Sequence, residues 1–235
     1  MHNVSIRGHI IDRVVARRGD VHWFTELDPA KTALLIIDMQ NTFCMSGAPG
    51  EVPMARDITP AINDLAAAMR ARGVPVFWVL HTNTQHGGRS DWEVFFNHVV
   101  RNNDIRASMI DSLAPETQKV FDDLVVGPED VTLFKNRYSA LASGASTLER
   151  VLRNLGIDTV LVGGTKTNVC CDSTARDAMM MDFKSVLVSD CCAALSDDEH
   201  LAALETIIQQ FGDVMTSEEV LARMTGASET LRQAV

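Results

Sequence analysis

Apolar runs of strand length recur along the chain, at 32–38 (TALLIID), 74–80 (VPVFWVL), 130–134 (DVTLF), 158–164 (DTVLVGG) and 185–190 (SVLVSD), with a weaker one at 211–216 (FGDVMT). They are continuous rather than alternating, which suits strands covered on both faces. Between them lie helix-like stretches. Residues 58–73 carry a proline near the start, an apolar stripe and a glycine stop, and 146–156 end the same way. Residues 198–210 are amphipathic, and 170–183 read as a helix with small residues on one side. Alternating strand and helix predict right-handed crossovers and a three-layer α/β/α domain, with a doubly wound, mostly parallel six-stranded sheet. The long segment 81–129 holds two stretches expected to be helical, WEVFFNHVV and ETQKVFDDL, joined by a polar piece that could cap a site. Residues 1–31 lack clear periodicity and are expected to form an N-terminal arm or oligomer contact. Residues 32–235 then make a single domain.

Composition narrows the function. A chain of 235 residues with 46% apolar content can bury the core of one sizeable α/β domain. A net charge of −10 argues against a nucleic-acid partner, because phosphates would be repelled. No stretch reads as a signal peptide or a membrane span; Arg17 and Arg18 form a twin arginine, but no apolar segment follows. Five cysteines, two adjacent pairs among them, make a poor disulfide framework and fit free thiols in a reducing cytoplasm.

In open α/β sheets, ligands bind beyond the carboxyl ends of the strands. Asp38 follows the first strand, Lys135 the third, and Cys170-Cys171 the fourth, across the loop GGTKTNV. An acid, an amine and a thiol converging on one rim meet the needs of covalent amide hydrolysis. Cys170 is expected to open the new helix, where free N–H groups lower a thiol pKa. Cys171 is turned by about 100° and is expected to pack in the core.

The motifs TALLIIDMQNTF, KNRYSAL and GGTKTNVCCDSTARDA resemble, in order, those of the isochorismatase-like cysteine hydrolases. The RYSA and TNVC versions look most like ureidoacrylate amidohydrolases and related small-ureide amidases. The resemblance implies an Asp38–Lys135–Cys170 triad and a cis peptide at Thr165–Lys166. It also implies an oxyanion hole made by the backbone N–H groups of Lys166 and Cys170. It implies a homo-oligomer with a small amide or ureide substrate, and no cofactor. The Asp-x-His metal motif of some nicotinamidases is missing, so no metal is expected; His81, His86 and His98 lack a carboxylate two residues earlier. Candidate substrate contacts are Gln40, Asn41, His81, Trp92, Arg137, Tyr138 and Gln209, with Phe95 and Phe96 as further wall candidates. A Lys166 side chain facing inward would favour an acidic substrate. Cys44, Asp190, Cys191 and Cys192 are expected to be structural. The competing functions are a vinyl-ether hydrolase, a nicotinamidase-like amidase, a nucleotide- or flavin-binding module, and a silent scaffold. The chain carries neither G-x-G-x-x-G nor a full P-loop.

Overall fold

The computed structural model describes residues 1–224. Its strands are β1 (Thr32–Ile37), β2 (Val76–His81), β3 (Gln85–His86), β4 (Arg89–Ser90), β5 (Val131–Lys135), β6 (Thr159–Thr165), β7 (Lys184–Ala193) and β8 (Asp213–Met215). Six form one sheet in the order β5-β2-β1-β6-β7-β8, with every neighbouring pair parallel, while β3 and β4 make a small hairpin. The three-layer, doubly wound fold expected from the apolar runs is the one found. The winding reverses between β1 and β6, so the switch point lies where Asp38 and the cysteine loop leave the sheet.

Helices α1 (Gly8–Arg18), α2 (Asn41–Cys44), α3 (Met54–Asp57), α4 (Thr59–Arg70), α5 (Asn103–Ser112), α6 (Leu148–Asn154), α7 (Asp172–Met180), α8 (Asp197–Gln210) and α9 (Ser217–Arg223) complete the chain. Successive residues of a strand point to opposite faces, and both faces are covered. Leu35, Ile37, Val160 and Val162 enter one core with residues of α1, α6, α7 and α8. Leu34, Ile36, Leu161 and Val186 enter the other with residues of α4 and α9.

Three segments differ from expectation. Residues 116–124 are not helical beyond a short turn at Pro115–Thr117; Val120 bridges Gln40 and the Phe121 N–H donates to Met39 O, laying the segment across the end of β1. The polar piece between the two expected helices itself forms α5, capped by the Asn102 side chain on the N–H groups of Asp104 and Ile105. Within 1–31, α1 sends Ile10 and Val14 into the main core, and the Arg7 guanidinium pairs with Glu205 on α8.

Candidate active site

Asp38 sits just past β1 with φ +54°, a left-handed conformation that aspartate tolerates better than most residues. Its N–H donates to Val79 O at 2.8 Å, so the backbone stays tied to β2 while the carboxylate turns off the strand. Lys135 ends β5 directly beside His81 in the β2–β5 register. Its ammonium donates to Asp38 Oδ2 at 2.8 Å, to Arg137 O at 3.1 Å and to His81 Nδ1 at 3.2 Å. Three donors meet three acceptors, so the cation is fixed and saturated. Because Nδ1 faces an ammonium, the His81 proton belongs on Nε2, 2.9 Å from Asn83 Oδ1.

Cys170 lies in a π-helical turn, Thr167–Cys171, that leads into α7. Thr174 accepts the Ala140 N–H and donates to Cys170 O at 2.7 Å, joining the cysteine loop to the segment after Lys135. The Thr165–Lys166 peptide is cis. Gly164 lets β6 pass close to β1: a Cβ there would lie 2.0 Å from Ile37 O. Donor atoms of Asp38, His81 and Cys170 all lie within 4.8 Å of one another.

Burial dominates the electrostatics. It raises the Asp38 carboxyl above the usual carboxylate range, with Lys135 opposing. Burial acts most strongly against the Lys135 ammonium, but the Asp38 charge and hydrogen bond, together with the neighbouring Cys170 and Cys171 sulfurs, outweigh it and hold the amine above its ordinary value. Burial pushes the Cys170 thiol well above the usual range, and the Asp38 charge adds to that. The lowered thiol pKa expected from a helix N-terminus is therefore corrected: the resting sulfur keeps its proton. Burial and the Lys135 charge keep His81 neutral.

Asp38, His81, Tyr138 and Cys170 line the floor of a cavity of about 320 Å³, whose walls include Phe43, Phe95, Val100, Met109, Leu113 and Val169. Lys135 is placed behind Asp38. Asp38, His81 and Cys170 are ligand types for a transition metal, yet two of the three already hold the Lys135 ammonium. The donor set thus fits a fixed organic cation rather than a metal ion.

Among the expected contacts, His81 and Tyr138 line this cavity, and so does Lys166. Gln40 is instead a scaffold tie: its amide accepts the His81 N–H at 2.7 Å and donates to His81 O at 2.9 Å. Asn41 borders a separate surface hollow. Trp92 stands behind the wall against His81, Phe95 and Tyr138, and the Arg137 guanidinium lies over its ring. Gln209 bonds Arg13 and Glu205 O on α8. Phe96 packs behind Phe95, and Cys171, Cys191 and Cys192 are core residues. Sequence reasoning missed Phe43, Val100, Met109 and Leu113 as walls, since segments 41–52 and 99–113 carry no periodicity that aims them, and Val169 because it stands in the cysteine motif as an ordinary apolar residue.

Comparison with known proteins agrees with this geometry. The isochorismatase domain model matches residues 32–219. Enterobactin synthase component B of Escherichia coli K12 is 32% identical over 222 residues, 92% of this chain and 70% of that protein. Ureidoacrylate amidohydrolase of Caulobacter vibrioides is 29% identical over 206 residues, 82% of this chain and 86% of that protein. A solved cysteine hydrolase from Pseudomonas syringae pv. phaseolicola superposes with TM-score 0.72 at 30% identity, over 84% of this chain and 93% of that one.

Proposed function

This chain belongs to the isochorismatase family, and we propose that within it the protein is a cysteine-dependent amidohydrolase cleaving the C–N bond of a small linear amide or ureide. The observation that carries the reading is the carboxylate and thiol together at the cavity floor, with the ammonium bonded to the carboxylate from behind. Asp38 Oδ1, buried and without a hydrogen-bond partner among the described residues, is the free acceptor such chemistry needs. Its raised affinity for a proton brings it toward the operating range of a general base.

As the substrate carbonyl arrives, the thiol proton passes to Asp38 and the Cys170 Sγ–C bond forms. The tetrahedral oxygen rests on the backbone N–H groups of Lys166 and Cys170. Asp38 then gives its proton to the nitrogen, the C–N bond breaks, and ammonia or an amine leaves a thioester. Water attacks the thioester carbonyl and yields a proton to Asp38. The S–C bond breaks, the acid departs, and the proton returns to sulfur. Lys135, with its donors engaged, contributes charge and holds Asp38 in place.

The test is an ammonia-release screen over ureides, carbamoyl amino acids, nicotinamide and maleamate, with Cys170→Ala as control. Ammonia released by the parent and not by the variant supports the reading. Pyruvate release from isochorismate that survives Cys170→Ala would assign vinyl-ether hydrolysis instead.

A further inference from the structure

The walls of the cavity have a chemical character that the catalytic group alone does not require. Above the polar floor stand Phe43, Phe95, Val100, Met109, Leu113 and Val169. The apolar lining continues outward to the mouth, where Val99 is 65% exposed and Leu195 52% exposed. Large aliphatic side chains left facing solvent around a hollow mark a surface that receives something apolar. The volume, about 320 Å³, lies at the small end of ligand pockets, which run from about 300 to 1,000 Å³.

A substrate with a carboxylate would be poorly served here. Among the described residues no arginine lines the cavity; Arg137 is turned onto Trp92 and the carbonyls of Asn136 and Asp91. Lys166 is the one basic residue in the lining, and it is partly exposed, where water weakens its hold on an anion. Two acids share the lining with it: Asp38, and Glu51, which is paired with Arg56 at 2.8 Å. An anionic group would lose its hydration against aliphatic walls and face those acids without a guanidinium clamp.

Resting on the amidohydrolase reading, we infer that the substrate is an uncharged primary amide whose acyl part is a hydrophobic chain or ring. The carboxamide occupies the floor, with its nitrogen toward Asp38, and the hydrocarbon fills the volume between Phe43, Phe95, Met109 and Leu113. Ureides and acid amides are then the poorer substrates of this site. The walls discriminate by burial, at about 3- to 4-fold in kcat/KM for each methylene enclosed.

A matched pair tests this. Hexanamide and adipamate share a chain and differ only in ending as a methyl or a carboxylate. Ammonia release dependent on Cys170 should favour hexanamide over adipamate by about 100-fold or more, and hexanamide over propanamide by about 50-fold. Val99→Lys, a change at an exposed position of the mouth, should narrow the first ratio at least 10-fold. Equal rates, or faster turnover of adipamate or a carbamoyl amino acid, would overturn the inference while leaving an amidohydrolase. If no amide is hydrolysed, the amidohydrolase reading fails, and protection of Cys170 from iodoacetamide decides the pocket. Protection by hexanamide and not by adipamate supports an apolar site; equal or reversed protection overturns it.

Discussion

At the residue scale, the protonation of Cys170 shapes the chemistry. A thiol held above its ordinary pKa cannot wait as a thiolate, so in the proposed mechanism attack depends on Asp38 taking the proton as the carbon approaches. Asp38→Asn should therefore lower kcat about as severely as Cys170→Ala, by at least about 1,000-fold, in steady-state assays of ammonia release. The pH profile has a definite sign. As the proposed base, Asp38 must be ionised, and burial raises its pKa, so activity should fall on the acid side with a midpoint above the ordinary value of about 4. A profile flat from pH 7 down to pH 4 would remove Asp38 from the base role. That Asp38, Lys135 and Cys170 come together was legible in the sequence because each follows an apolar run and belongs to a motif. The protonated state of the sulfur was not, because it depends on desolvation by residues far away in the chain.

At the level of elements, the sheet was readable and the segments crossing its rim were not. Six apolar runs gave six strands, five of them buried along most of their length because both faces of the sheet are covered there, while the edge strand β5 alternates partly buried and exposed residues. Residues 116–124 look amphipathic, yet Val120 and Phe121 spend their polar backbone groups on the end of β1. Two missed helices did leave marks. Asn102 stands at the N-cap of α5, and Thr216 with Glu219 forms the capping box of α9. The β1–β6 contact also yields a test. Gly164→Ala would put a methyl against Ile37 O at a φ of +116°, and should destabilise the protein by about 3 kcal/mol or more. Gly144→Ala, with a similar positive φ but open space around it, should cost only about 1 kcal/mol. Denaturant midpoints for the two variants check the contrast.

Across the whole molecule, the N-terminal segment is joined to the site through α8. His2 stacks on His200, which meets Thr167 of the cysteine-bearing turn at 2.8 Å, while His2 also pairs with Asp197. Burial, and then the charge of His2, lower the His200 pKa to about 4. The unfolded chain, with an ordinary value near 6.5, therefore binds the proton more readily between those limits. Stability is lost as pH falls through about 6.5 toward 4, by up to about 3 kcal/mol from this group. His200→Asn should flatten the pH dependence of thermal unfolding over that window; an unchanged slope would contradict the assignment. The thiols give a second global readout. All five cysteines are buried, but only Cys170 borders the cavity, so iodoacetamide should modify Cys170 first, slowly because its thiol is protonated, and the other four only at the rate of global unfolding. The helix α1 escaped the sequence reading of residues 1–31 because only Ile10 and Val14, one turn apart, enter the core and leave no longer apolar stripe.

The ammonium of Lys135, bonded between Asp38 and His81, has a consequence for the cell. A positive charge made of nitrogen and covalently tethered cannot be stripped by a chelator, nor swapped for a competing ion. Dialysis against a chelator, or growth in a medium poor in zinc or iron, should therefore leave the Asp38–Lys135 pair and any Cys170-dependent ammonia release unchanged.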